Sequence, residues 1–218
     1  MPERQRFTIF HEFAHTLFPD YCEFMPLHQS ETRKLPDAER EFEYLCDLGA
    51  AEMLLPGEDF LKDLNGHQPL GFEVVHTLRK RYEASIDATT HRLVELASDV
   101  PCAAVFLTDQ KGSFEGRGPL WVKYAATNRD FKSFIRPGTL PPWKSVAVEC
   151  FRHGIETTAP AKETWWIPGR DGQKAPRTWL VQAAKLPTIA DNPDYAKVVA
   201  LLFPSGYSKL AASGLRTC

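Results

Sequence analysis

The sequence lacks any apolar run near the roughly 18 residues that a membrane-spanning helix needs. Its opening residues, Met1-Pro2-Glu3-Arg4-Gln5-Arg6, hold no apolar stretch of signal-peptide type. A cytoplasmic chain with no membrane partner is therefore expected. An excess of one charge is also missing: 26 Lys and Arg stand against 28 Asp and Glu, a formal net charge of -2. That excludes nucleic-acid or membrane-surface binding driven by global charge and leaves only local patches. The five cysteines are odd in number and widely spaced, with no C-x-x-C. A disulfide framework and a cysteine-based zinc site are both excluded, and reduced, mostly buried thiols are expected. There is no internal repeat, no low-complexity tract and no signature of a Ser or Cys hydrolase.

What is present divides into two styles. Residues up to about 98 read as helical, and those from about 100 onward as short strands punctuated by Gly and Pro, so the expected fold class is α+β. The first helix is predicted over Arg6 to Leu17, with Phe7, Phe10, Ala14, Leu17 and Phe18 as its buried stripe. Pro19 stops it, and residues 20–35 form a connecting loop. A second helix is predicted from Asp37 to Leu55, with acidic residues in its first turns and Pro56-Gly57 at its end. A short helix at Glu58–Leu64 and two more at Phe72–Tyr82 and Ile86–Ala97 follow, the last capped by Ser85. Strands are predicted at Ala103–Thr108, Trp121–Ala126, Ile155–Thr158, Thr164–Ile167, Thr178–Ala184 and Lys197–Phe203, with a helix at Val146–Arg152.

The sharpest chemical signal is His11-Glu12-Phe13-Ala14-His15. Residues four apart on a helix are displaced by about 6 Å along the axis and only about 40° around it. Both imidazoles leave one face and can reach one zinc ion at about 2.0–2.1 Å. Glu12, about 100° around from His11, can lean toward the metal without ligating it and act as general base. By composition, this pattern is expected by chance in about one such chain in a hundred.

Two histidines need a third protein ligand. A metzincin would carry Gly at 18 and His at 21; Phe18 and Tyr21 exclude it. A carboxylate on the following helix is the remaining common solution. Glu39, Glu41 and Glu43 compete on spacing, and helical phase favours Glu43, because Phe42 and Leu45 mark the buried side. Glu43, Asp47, Ala50 and Ala51 form a narrow stripe that lets two helices approach closely. Asp47, one turn after Glu43, is placed to accept the second N–H of a ligand histidine and fix its tautomer.

The stretch from Arg4 to His15 resembles the active-site helix of the ImmA/IrrE family of metallopeptidases. Glu43-Tyr44-Leu45-Cys46-Asp47, continuing through Gly49-Ala50-Ala51-Glu52-Met53-Leu54-Leu55-Pro56, resembles that family's second motif, and the stretches 80–85 and 92–96 resemble its continuation. The resemblance implies a zinc endopeptidase lobe at 1–99 of zincin-like fold, with Zn2+ held by His11, His15 and Glu43. It further implies a helix-turn-helix repressor as substrate, in stress response or mobile-element regulation. The sheet-rich lobe, 100–204, resembles in general terms the GAF-like sensor regions of longer members, which implies a small-molecule effector there; 205–218 is read as a tail. The family usually carries a segment before the first motif that forms part of a sheet beside the metal helix. Here Met1 stands ten residues before His11: either the chain is a fragment, or its start is placed too late, or the domain is shortened, and each of these bears on hydrolysis more than on metal binding. The alternative is a DNA-binding or sensor regulator whose zinc site is structural or vestigial.

Weaker signals complete the reading. Tyr21, His28 and Tyr44 are candidates to stabilise an oxyanion, and nothing singles one out. Arg79-Lys80-Arg81 sits between two helices joined by a short turn, for which a DNA-contacting helix-turn-helix is the alternative; it is read as a solvated helix C-terminus, and DNA binding is not expected. His67, His76, His91 and His153 read as structural or surface residues. Trp165-Trp166 reads as core or sheet edge, with a small-ligand pocket as the alternative.

Overall fold

The computed structural model describes residues 2–18, 37–67, 69–98, 100–109, 120–168, 174–187 and 196–207. The expected loop at 20–35, Tyr21, His28, Cys22 and the tail beyond 207 lie outside the described residues. The fold is α+β, with helices first and a sheet after them. Five helices precede the strands among the described residues: α1 Pro2–Thr16, α2 Asp37–Leu54, α3 Gly57–Asn65, α4 Phe72–Tyr82 and α5 Ile86–Leu96. Strands β1 Ala103–Asp109 and β2 Leu120–Thr127 follow. Helix α6, Val146–His153, then separates them from β3 Ala161–Pro168, β4 Lys174–Lys185 and β5 Val198–Pro204. Among the described residues, no helix is long and apolar enough to cross a membrane.

The five strands form one antiparallel sheet in the order β2-β1-β5-β4-β3. Alternation along each inner strand divides the core. Ala104 and Phe106 of β1, Leu180 and Ala184 of β4, and Val199, Leu201 and Phe203 of β5 face one side. They join Phe60, Phe72, Leu78 and Leu93 of α3–α5 in a single apolar cluster. Ala103, Val105 and Leu107, with Val181, Ala183, Val198, Ala200 and Leu202, face the other side and pack with Val146, Val148 and Cys150 of α6. The sheet is thus covered on both faces, which is why β1 and β5 read as continuous apolar runs rather than alternating ones.

Asn128 ties the helices to the strands. Its buried amide donates to the carbonyls of Ala97 and Val100, each at 2.7 Å, and its Oδ1 accepts from the N–H groups of Cys102 and Phe131, each at 3.1 Å. Ser85 caps α5 through a bond from the Ala88 N–H to Oγ. Buried Arg92 gathers the end of α2 and the start of α3. Its Nε donates to the Leu55 carbonyl at 3.0 Å and its Nη2 pairs with Glu52, whose other oxygen accepts the Gly57 N–H.

Four sequence expectations need correction. Leu17 is exposed rather than part of the buried stripe. The helix ends at Thr16, and the Leu17 N–H bonds back three residues to Ala14, which turns the side chain out of phase. Leu45 is also exposed, because the buried line of α2 runs through Phe42, Cys46, Ala50 and Leu54 at four-residue steps. Ile155–Thr158 is not a strand. It makes one bridge, Thr157 to Ala184. Beside it, the Thr158 hydroxyl takes the Ala183 N–H in place of a ladder carbonyl, and Pro160 has no N–H to offer. The first helix also begins earlier than expected, at Pro2, a residue suited to a first helical position.

Candidate metal centre

The centre is built by two packed helices. Helix α1 turns His11 and His15 toward α2, and α2 returns Glu43 and Asp47. A close approach makes this possible: a Cβ placed on Gly49 would stand 3.3 Å from the Cβ of Ala14, tighter than ordinary packing. Phe42 and Cys46 are buried with Ala14 in a small apolar cluster beneath the site, joined by Phe18 and Met53. Arg6 fixes α1 to the rest of the molecule. Its guanidinium donates to the Tyr82 carbonyl at 3.0 Å and to the Glu83 carboxylate at 2.8 Å, at the left-handed C-cap of α4.

His11, His15 and Glu43 each aim a donor atom at one point. The three atoms lie within 4.8 Å of one another. Nε2 of His11 stands 3.0 Å from Nε2 of His15 and 3.2 Å from Oε2 of Glu43, and His15 Nε2 lies 3.7 Å from Glu43 Oε1. In a tetrahedral site with bonds of about 2.0–2.1 Å, neighbouring donors stand about 3.3 Å apart. The two histidine nitrogens stand near that spacing, Glu43 turns one oxygen to each of them, and the donor set, two imidazoles and one carboxylate, suits a zinc ion with an open fourth position.

Nδ1 of His11, the ring nitrogen away from this point, lies 2.9 Å from Asp47 Oδ1. A carboxylate there can accept a proton carried on Nδ1, the tautomer that would leave the Nε2 lone pair open to a metal. The His15 ring is buried and packs on Phe42 at 5.2 Å between centroids. Glu12 is exposed on the same helix, beside the cluster. Burial, then the nearby carboxylates of Glu43, Asp47 and Glu12, push the Cys46 thiol up to about 11. Cys46 is not one of the three side chains whose ligand atoms converge.

The remaining expectations fall elsewhere. Glu41 is exposed and stands outside the converging set. Tyr44 is 61% exposed. Trp165 is buried in the core and its neighbour Trp166 exposed on edge strand β3. Cys46, Cys102 and Cys150 are buried and free. Arg6 and Cys46 carry no sequence signal of a role at the site. Gly49 does, as the smallest residue on the face that α2 turns to α1.

The chain is similar to known proteins over most of its length. Residues 1–94 match the family model described as the IrrE N-terminal-like domain. The radiation response metalloprotease IrrE of Deinococcus deserti is 30% identical over 180 residues, covering 80% of this chain and 61% of that protein. Its namesake in Deinococcus radiodurans is 29% identical over 188 residues, covering 79% and 54%. The chain therefore spans little more than half the length of these relatives. A solved Mycobacterium tuberculosis transcriptional regulator shares the fold, with a TM-score of 0.54 at 16% identity, over 98% of this chain and 69% of that one. Residues 1–94 are therefore an IrrE N-terminal-like domain of the ImmA/IrrE family.

Proposed function

We propose that the chain is a zinc-dependent endopeptidase, with His11, His15 and Glu43 as metal ligands, Asp47 behind His11, and Glu12 as the catalytic base. The observation that carries this reading is the convergence of His11, His15 and Glu43 from two helices on one point. Zinc held by three protein ligands supplies Lewis acidity and lowers the pKa of water toward about 7.

The chain's own residues do the rest. Glu12, free of ligation and open to solvent, accepts a proton from water and passes it to the departing amine of the cleaved peptide bond. Asp47 keeps the His11 ring in one tautomer and orientation. Buried Phe42 holds the His15 ring by contact, so the ligand does not depend on a mobile side chain.

The relatives named as radiation response metalloproteases support a role in stress response. A helix-turn-helix repressor is the substrate class we assign, with cleavage relieving repression. The test is incubation of the zinc-loaded chain and its Glu12→Gln variant with a panel of helix-turn-helix repressors, followed by intact-mass analysis. The expected result is one defined cut by the parent chain and none by the variant, with zinc retained in both. Equal cleavage by the variant would remove Glu12 as base. Promoter-duplex binding with steep salt dependence, and no cleavage, would favour a DNA-binding regulator instead.

A further inference from the structure

Arg6 stands on α1 about 7.5 Å before His11 along the helix axis. Its Nη1 donates to three oxygens at the corner that ends α4: the Tyr82 carbonyl at 3.0 Å, the Glu83 carbonyl at 3.3 Å and Glu83 Oε2 at 2.8 Å. A cation at the negative end of a helix is ordinary by itself. The backbone that receives it is not. Glu83 sits at φ 49° and ψ 44°, and among the described residues it is the one non-glycine with a positive φ. A left-handed C-cap is the usual place for Gly, because a Cβ there crowds the following carbonyl. Here the position carries a glutamate, and its carboxylate meets Arg6. Stability does not account for the pair, since the Glu83 side chain is 76% exposed and the Arg6 side chain 37%, and exposed ion pairs are worth little. Backbone strain of this kind persists where a particular geometry is needed.

Both helices that carry His11, His15 and Glu43 are tied to the same helical hairpin. Residues 83–85 join α4 to α5, and Ser85 caps α5. From α5, buried Arg92 holds the end of α2 through the Leu55 carbonyl and through Glu52. At the other side of the turn, the end of α4 holds α1 through Arg6. Phe7 and Phe10 also pack α1 on the main core, but apolar contact is non-directional and does not fix how far a helix slides along its axis. The approach of Ala14 to Gly49 sets how near α1 and α2 lie. The bonds from Arg6 set how far along.

We propose that Arg6 and Glu83 are positioning residues for the metal centre. The left-handed Glu83 receives the guanidinium that sets the axial position of α1, and with it the height of His11 and His15 opposite Glu43. The inference rests on reading those three side chains as metal ligands.

The test is titration of the full metal-free chain with cobalt(II), followed by visible absorption, with the melting temperature of each metal-free chain recorded alongside. It is repeated on Glu83→Gly, Arg6→Met, Arg6→Lys and, as control, Arg81→Gln, which breaks the pair with Asp63 at the same corner. The parent chain is expected to bind cobalt with the absorption of a four-coordinate ion. Glu83→Gly should melt at or above the parent temperature, because Gly relieves the left-handed strain. It should nonetheless bind cobalt about three- to tenfold more weakly and with a shifted spectrum. Arg6→Met should show the same loss of affinity, Arg6→Lys should recover part of it, and Arg81→Gln should stay within about twofold of the parent. Parent-like affinity and spectrum in Glu83→Gly and Arg6→Met would overturn the proposal. So would an equal loss in Arg81→Gln, which would mean general loosening of the corner, or a Glu83→Gly chain that melts well below the parent, which would mean that the carboxylate holds the fold itself. No cobalt bound by the folded parent chain would remove the metal centre and this inference together.

Discussion

Oδ1 of Asp47 lies 2.9 Å from Nδ1 of His11, the ring nitrogen away from the one directed at His15 and Glu43. This contact separates metal binding from fold stability, because Asp47 is exposed and packs no core. Removing such a partner costs about 10- to 100-fold in metal affinity. We predict that Asp47→Ala weakens zinc binding by that factor, measured by competition with a chromophoric chelator, while the melting temperature of the metal-free chain stays within a few degrees. Undiminished zinc affinity would contradict the assigned role.

Gly49 tests the close approach of the two helices that carry His11, His15 and Glu43. Any side chain there meets Ala14 at 3.3 Å or less. Gly49→Val should destabilise the chain by about 1–3 kcal/mol through overpacking and also loosen zinc, since the same shift moves Glu43 from the histidines. Thermal melts with and without metal check both effects. A variant as stable as the parent, with full zinc affinity, would show that α1 and α2 do not need this contact.

Asn128 satisfies four backbone groups with one buried side chain. Its loss strands several of them at once, and each unsatisfied group costs about 1–3 kcal/mol. Asn128→Ala is expected to cost about 2–4 kcal/mol overall, after local relaxation, in urea unfolding. A cost below 1 kcal/mol would mean that water replaces the amide.

His76 gives a pH dependence with a definite sign. Its pKa in the folded chain lies below the ordinary value of 6.5, chiefly through burial. As pH falls, the unfolded chain therefore takes up the proton first. The contribution is complete above about pH 6.5 and is lost as pH drops toward the folded-state value. In chelator, His76→Gln should lose less stability than the parent chain between pH 7.5 and 5. Parallel profiles would contradict this.

The helical half was legible because its signals are local. A four-residue step brings His11 and His15 to one face, Ser85 caps α5 within three residues, and Pro56-Gly57 punctuates the junction of α2 and α3. The strand positions other than Ile155–Thr158 were readable for the same reason, since β1 and β5 are unbroken apolar runs bounded by turns. Their order was not. Pairing of β1 with β5 joins segments with most of the sheet domain between them, and no short-range pattern encodes it. Arg6 and Asn128 were illegible for a related reason: each acts on backbone groups, and a carbonyl leaves no mark in the residue type that carries it. Leu17 and Leu45 misled because periodicity gives the apolar face of a helix but not the residue at which the helix stops or the line along which its partner lies.

The measurement that tests the central claim most directly is zinc stoichiometry by elemental analysis of the purified chain beside His15→Ala and Glu43→Ala. Convergence of the three side chains predicts about one zinc per parent chain and little or none in either variant, each still folded by circular dichroism. One zinc retained in Glu43→Ala would move the third ligand away from α2, and no zinc in the parent chain would contradict the metal centre itself.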